Sequence, residues 1–148
     1  MAELRTADVT WNGDLLTGAG TIDYVSSGVF SRMPVSWAAR TGPHNGKTSP
    51  EELLAAAHAS CFSMAFSARL AKNGTPATEL KTKVEVSFDN ASGAWKVTTS
   101  RITVVGDVPG IDLETFRTIA DDAKENCPIS GALKGNVELV VDATLVEG

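Results

Sequence analysis

One long apolar segment with a clear beginning and a clear end most constrains how this chain can fold. The residues Ser49-Pro50-Glu51-Glu52 are typical of a helix start. Serine caps free backbone N–H groups, proline fits the first helical position, and a glutamate three residues after the serine completes a capping box. The pattern continues to Lys72 or Asn73, where Gly74 and Pro76 favour a helix end. The sequence therefore predicts a long central helix, around which the other elements must pack.

This segment is not predicted to cross a membrane. Polar side chains interrupt it between Leu53 and Leu70, and they are His58, Ser60, Ser63, Ser67 and Arg69. It is therefore interpreted as a core or interface helix. The first eleven residues contain no apolar run behind a basic start, so no signal peptide is predicted and we expect a cytoplasmic protein.

Strand patterns flank the helix on both sides. The first forty residues predict a β-meander, with a tight hairpin at Asn12-Gly13 and a second reversal at Gly28 before a strand over residues 29–39. Residues 41–47 are predicted to be a loop. Beyond the long helix we expect further antiparallel strands, a second helix and a closing strand, over residues 84–88, 95–105, 112–126 and 136–146. This order predicts an α+β fold rather than alternating βαβ units, and the 148 residues, 43% hydrophobic, predict a single domain over 1–148.

Charge and motifs exclude several function classes. The net charge is −5 and the basic residues are scattered singly, so neither nucleic acid nor a membrane surface is an expected partner. The sequence contains neither the GxSxG motif of serine hydrolases nor a phosphate-binding GxxxxGK[ST] loop.

The two cysteines, Cys61 and Cys127, are 66 positions apart. A structural disulfide is not expected in a reducing compartment, so four interpretations remain: buried inert thiols, metal ligands, separate reactive groups, or a cycling dithiol. A metal site is disfavoured, because only His44 and His58 could join the cysteines as soft or imidazole ligands and no CxxC or HxxxH spacing occurs.

The local patterns make the two cysteines unequal. Cys61 shares a helical face with apolar residues, namely Leu54, Ala57, Met64, Ala65 and Ala68. Burial there would leave the thiol inert unless a cation is brought to it. Cys127 precedes Pro128 and is expected to cap a short turn over residues 128–133, where free N–H groups favour a thiolate. A small core thiol and a capping residue without chemistry remain the structural alternatives.

The residues around both cysteines resemble the signature of the OsmC/Ohr family of thiol peroxidases. The matching segments are Asn45 to Met64, with the sequence NGKTSPEELLAAAHASCFSM, then Val108 to Asp112 and Ala123 to Ser130, and the order of elements is similar over essentially the whole chain. His58 ahead of Cys61 and Arg40 just ahead of the long helix resemble the OsmC branch. The Ohr branch carries its arginine near the first hairpin.

This resemblance implies an OsmC-like fold and a cysteine-based peroxidase for organic hydroperoxides, with hydrogen peroxide as a second candidate substrate. It assigns Cys61 as the peroxidatic cysteine, Cys127 as the resolving cysteine, Arg40 as the cation beside the sulfur and Glu51 as the carboxylate that holds Arg40. An external thiol would restore the dithiol, and no haem, flavin or metal is required. His58 is expected to be a packing or hydrogen-bonding residue near the pocket.

The spacing of Glu51 and Cys61 bears on assembly. If both lie on one helix, ten positions separate them by about 15 Å along its axis, which is too far for one arginine to serve both comfortably. Antiparallel packing of two long helices across a twofold axis would bring Glu51 of one chain to Cys61 of the other. The resemblance likewise implies an intertwined homodimer. The alternative function is a dimer that binds a small hydrophobic molecule or senses redox state without turnover, for which Arg40 and Cys127 would be unnecessary.

Overall fold

The computed structural model describes residues 1–147, in two compact units that meet between Leu53 and Leu54 along the chain. Each unit contains its own three-stranded sheet. The predicted α+β class is confirmed.

The first unit is the expected β-meander. Strands β1 (Ala7–Asn12), β2 (Ala19–Val25) and β3 (Ser31–Val35) pair antiparallel in the order β1-β2-β3. The first connection, residues 13–18, is longer than the tight hairpin that Asn-Gly predicts. Gly13 still adopts the left-handed φ of 89° that such a turn requires, but the Asp14 carboxylate then accepts the N–H groups of Leu16 and Thr17, which organises a wider loop.

A short helix that the sequence pattern did not predict follows β3. The strand expected to reach Ala39 ends at Val35, and α1 (Trp37–Thr41) begins after Ser36. The Ser36 hydroxyl accepts the N–H of Ala39 at 3.2 Å, so a serine cap diverts the chain from the sheet into a helical turn. This turn carries Arg40.

The long helix, α2 (Pro50–Lys72), has the predicted bounds. The Ser49 hydroxyl accepts the N–H of Glu52 at 3.1 Å, as a cap should. At the other end the N–H of Thr75 reaches the Leu70 carbonyl at 3.0 Å, with Gly74 at a φ of 84°. By length and composition alone α2 could span a membrane. Its Phe62, Phe66 and Leu70 side chains are fully buried in the protein, so α2 is a core helix.

The second unit contains the sheet β4 (Glu79–Asp89), β5 (Lys96–Asp107) and β6 (Glu138–Leu145), in that order, with helices α3 (Leu113–Asn126) and α4 (Pro128–Leu133) between β5 and β6. Strands β4 and β5 form the expected antiparallel hairpin. The closing strand β6 pairs parallel with β5, a direction that the sequence pattern did not specify. A parallel pair requires a crossover connection, which α3 and α4 supply.

The core of the second unit fixes the position of α2. The Phe66 ring lies 5.4 Å from the Phe62 ring and 4.9 Å from the Phe116 ring of α3, measured between centroids. All three rings are fully buried, and each contributes about 1.5–3 kcal/mol of burial free energy. The face of α2 that carries Phe62 is thereby held against α3 and the sheet, and Cys61 lies beside it at the edge of the core.

Candidate active site

Cys127 both ends α3 and begins α4. Its backbone N–H donates to the Ala123 carbonyl at 2.9 Å, and its sulfur accepts the N–H of Ser130 at 3.3 Å. The side chain is fully buried. The prediction that Cys127 caps a short turn beginning at Pro128 is confirmed.

Cys61 is only half-buried. It packs against the core of the second unit together with Ala65. The rest of the expected apolar surroundings is different, since Met64 is 73% exposed and Ala57 and Ala68 are also exposed. Helical spacing correctly places these residues on one face, but that face of α2 is not covered within the described chain.

The two thiols are near enough to influence one another's ionisation, and Cys61 packs against the core cluster that contains Cys127. Burial raises the pKa of Cys61, and a hydrogen bond to Cys127 together with repulsion from it raises that pKa further. The backbone N–H of Ile129, in the first turn of α4, acts in the opposite direction and lowers the pKa of Cys61. Both cysteines are free thiols. The site therefore pairs an accessible thiol on α2 with a buried one at the α3–α4 junction.

A buried hydrogen-bonded chain leads away from Cys127. The Ser130 hydroxyl lies 3.1 Å from the Cys127 sulfur and 2.8 Å from Nε2 of His58. Nδ1 of His58 lies 2.6 Å from the hydroxyl of Ser100 on β5. His58 and both serines are fully buried, and burial lowers the pKa of His58, which favours the neutral imidazole. The hydrogen-bonding role expected for His58 is confirmed.

The two serines were not identified from the sequence. Ser130 follows Cys127 by three residues, which is the spacing of a capping contact, so its approach to the sulfur had a local signal. Ser100 had none, because it reaches His58 across 42 positions of sequence.

Arg40 and Glu51 meet in the first unit. The Arg40 Nε donates to both carboxylate oxygens of Glu51 at 3.1 Å, and Nη2 donates to Oε1 at 2.7 Å. The Arg40 guanidinium carbon also lies 5.9 Å from the centroid of the Trp37 ring, within reach of a cation–π contact. The carboxylate side chain is 9% exposed and the arginine 30% exposed. Helix α1 carries Arg40 and the first turn of α2 carries Glu51, and the paired hydrogen bonds between them hold the guanidinium in a fixed orientation.

Within residues 1–147, no three side chains from His, Cys, Asp and Glu converge in a way that could hold a metal ion.

A neighbouring pair of free thiols on this α+β fold is an arrangement typical of a thiol redox protein. A family model described as OsmC-like protein matches residues 42–142, which include Glu51, Cys61 and Cys127, while Arg40 lies two positions before the match. The chain belongs to this OsmC-like family.

Curated relatives agree with this membership. The chain is 40% identical over 129 residues to peroxiredoxin OsmC of Escherichia coli (strain K12), covering 87% of this chain and 89% of the relative. It is 35% identical over 97 residues to an organic hydroperoxide resistance protein of Xanthomonas axonopodis pv. citri (strain 306), covering 64% of this chain and 65% of the relative.

Solved structures share the fold. The crystal structure of an organic hydroperoxide resistance protein OsmC from Legionella pneumophila aligns with a TM-score of 0.73 at 22% identity, over 98% of this chain and 100% of the other. OhrB of Bacillus subtilis aligns with a TM-score of 0.68 at 26% identity, over 93% and 97% of the two chains.

Proposed function

We propose that this chain is a thiol-dependent peroxidase that reduces organic hydroperoxides through Cys61 and Cys127, in cytoplasmic defence against oxidative and osmotic stress. The observation that carries the proposal is the packing of Cys61, a partly accessible free thiol on α2, against the core cluster that contains Cys127, a buried free thiol at the α3–α4 junction. The names of the relatives, peroxiredoxin and organic hydroperoxide resistance protein, support the same activity.

The first step oxidises Cys61. Its thiolate attacks the distal oxygen of the hydroperoxide, an S–O bond forms and the O–O bond breaks. The alkoxide leaves, takes up a proton and departs as an alcohol. Cys61 is then a sulfenic acid.

The second step forms a disulfide. The Cys127 sulfur attacks the Cys61 sulfur, the S–O bond breaks, and hydroxide leaves with the thiol proton as water. An external thiol or dithiol then reduces the disulfide by exchange and returns both thiols. Because Cys61 and Cys127 are neighbours in the reduced protein, we expect the second step to require no large rearrangement.

The raised pKa of Cys61 makes a cation necessary. At neutral pH such a thiol is largely protonated, so the reactive thiolate needs stabilisation by a nearby positive charge. We assign this role to Arg40, which keeps its charge at any working pH, with Glu51 holding the guanidinium in place. Arg40 would also stabilise the negative charge that develops on the peroxide oxygens.

The arginine and glutamate are proposed to come from a second copy of the chain. Glu51 and Cys61 are ten residues apart on α2, which is about 15 Å along a helix axis. An arginine held by Glu51 is therefore poorly placed to reach Cys61 of the same chain. The α2 face that carries Ala57 and Ala68 is exposed, and these small side chains allow close helix packing across a twofold axis, to which the exposed Met64 adds apolar surface. Sedimentation should give a homodimer. A monomer with full peroxidase activity would refute this assignment.

An apolar substrate fits the surroundings of Cys61. One helical turn beyond it, an open groove of about 550 Å³ has an apolar part formed by Met64, Ala68, Ala77 and Leu80. The other lining residues are polar, namely Ser63, Ser67, Thr78 and Glu79. We assign the apolar part of this groove to the alkyl group of an organic hydroperoxide.

The decisive experiment treats the reduced protein with cumene hydroperoxide and maps the products by mass spectrometry. The expected product is a disulfide between Cys61 and Cys127. Cys61→Ser should be inactive, and Cys127→Ser should stop after one turnover with an oxidised Cys61. Unchanged thiols would overturn the peroxidase and favour a dimer that binds a hydrophobic molecule without turnover.

A further inference from the structure

His58 is fully buried, and neither step of the proposed peroxide reduction assigns it a role. It nevertheless lies in the middle of a continuous chain of contacts, from Ser100 through His58 and Ser130 to the Cys127 sulfur, at 2.6, 2.8 and 3.1 Å. A neutral imidazole donates from one ring nitrogen and accepts at the other. The tautomer of His58 therefore decides in which direction every hydrogen bond of this chain points.

Two arrangements satisfy these distances. With the proton on Nδ1, His58 donates to Ser100 and accepts the Ser130 proton at Nε2, so the Ser130 oxygen can only accept the proton of the Cys127 thiol. With the proton on Nε2, Ser100 donates to Nδ1 and His58 donates to Ser130. The Ser130 hydroxyl is then free to donate to the Cys127 sulfur.

We propose that His58 is a positioning residue for the resolving cysteine: it carries its proton on Nε2 and thereby aims the Ser130 hydroxyl at the Cys127 sulfur. The sulfur then receives two donors from one residue, the hydroxyl and the backbone N–H of Ser130. This inference rests on the proposed peroxidase cycle, and it concerns the second step of that cycle.

The chemistry of the second step balances in this arrangement. With both Ser130 groups donating to the Cys127 sulfur, the thiol proton is free to point to another neighbour, and Cys61 is the neighbouring thiol. As the Cys127 sulfur bonds to the Cys61 sulfur, that proton passes to the sulfenic oxygen, the S–O bond breaks and water leaves. The Ser130 donors stabilise the negative charge that develops on the Cys127 sulfur during the transfer.

Burial supports the neutral imidazole on which this argument depends. Desolvation lowers the pKa of His58, since a buried imidazolium would lose its hydration. The described contacts of the ring nitrogens are both with serine hydroxyls, which carry no charge to compensate it.

The test separates the two steps in a single turnover. Reduced protein is mixed rapidly with cumene hydroperoxide, quenched at intervals, and analysed by mass spectrometry for Cys61 sulfenic acid and for the disulfide. Ser130→Ala removes the hydroxyl but keeps the backbone N–H. His58→Gln places an amide nitrogen near the Nε2 position and so keeps a donor for Ser130, whereas His58→Asn reaches only towards Ser100.

The expected result is a loss confined to the second step. Ser130→Ala and His58→Asn should form sulfenic acid at the wild-type rate and form the disulfide about tenfold more slowly, as the loss of one hydrogen bond to a charged sulfur implies. His58→Gln should recover most of the wild-type rate. Ser87→Ala, which removes a hydroxyl contact with Thr99 on the β4–β5 hairpin, is the matched control and should change neither step.

Other outcomes overturn the inference. The inference is wrong if Ser130→Ala forms the disulfide at the wild-type rate, or if the Gln and Asn variants of His58 behave alike. The hydrogen bonds from Ser100 to Cys127 would then contribute only to core packing. The same conclusion follows if a variant slows both steps together and its melting temperature falls to a corresponding degree. If His58→Asn does not fold, Ser130→Ala decides alone. A wild-type protein that forms no sulfenic acid refutes the peroxidase itself, whereas normal turnover with unaffected variants refutes only the role of His58.

Discussion

Replacement of Glu51 by Gln isolates the charge that holds Arg40, because the side chain keeps its size and one acceptor oxygen. The wild-type carboxylate makes three contacts of 2.7–3.1 Å with the guanidinium. Removing one partner of a fully buried ion pair costs about 3–5 kcal/mol, whereas exposed pairs contribute about 0–1 kcal/mol. Glu51 is 9% exposed and Arg40 30% exposed, so this pair lies between these limits. We expect Glu51→Gln to lower the free energy of unfolding by about 1–2 kcal/mol.

The effect on catalysis should exceed the effect on stability. An arginine that is no longer held in one orientation stabilises the thiolate and the developing peroxide charge less well, so kcat/KM for cumene hydroperoxide should fall by about 10- to 100-fold. Urea unfolding followed by circular dichroism gives the first quantity, and steady-state peroxide consumption gives the second.

Glu52→Gln is the matched control for this measurement. Glu52 lies in the same first turn of α2, so both glutamates interact equally with the positive end of the helix. Its carboxylate accepts the Thr48 hydroxyl at 3.0 Å. The control should lose less than about 1 kcal/mol and keep its activity. Equal losses in the two variants would refute the reasoning, because the whole effect would then belong to the helix dipole.

Two further predictions concern titration. Cys127→Ala removes the thiol contact that helps to raise the pKa of Cys61, so that pKa should fall and iodoacetamide should alkylate Cys61 faster at pH 8; an unchanged thiolate absorbance titration at 240 nm would contradict this. Burial lowers the pKa of His58 below its ordinary value of 6.5. Just below this pH, His58 is therefore protonated in the unfolded chain while it is still neutral in the folded chain. The stability contributed by neutral His58 is therefore complete above about pH 6.5 and is lost as the pH falls below it. His58→Gln should flatten the urea-midpoint profile between about pH 7 and 5, and a profile parallel to the wild type would contradict the assignment.

Elements that are specified by local signals were predicted from the sequence. The cap at Ser49 and the glycine at Gly74 define α2 within a few residues, and Pro128 marks the α3–α4 junction. The short helix α1 was missed because five residues carry too little periodicity, and its cap at Ser36 follows a stretch that continues the strand pattern. The parallel pairing of β6 was also missed, since strand direction is decided by contacts distant in sequence.

The candidate site likewise contains features that local sequence signals predict and features that depend on contacts distant in sequence. The capping position of Cys127 followed from the adjacent proline. The exposure of Met64 did not follow from its helical face, because periodicity groups residues without saying which group is covered. The approach of Ser100 to His58 depends on how β5 packs against α2, which no short pattern encodes.

Cys127 lies in the crossover between β5 and β6, far along the chain from Cys61 on α2. This separation in sequence affects the stability of the oxidised protein. A disulfide formed in the proposed cycle would close a loop spanning the 66 positions between the cysteines. In the chain-entropy description, such a loop destabilises the unfolded chain by about 4 kcal/mol. Each turnover would therefore alternate the molecule between a looser reduced form and a tighter oxidised form. Resistance to heat or to proteases would then record the redox state of the protein.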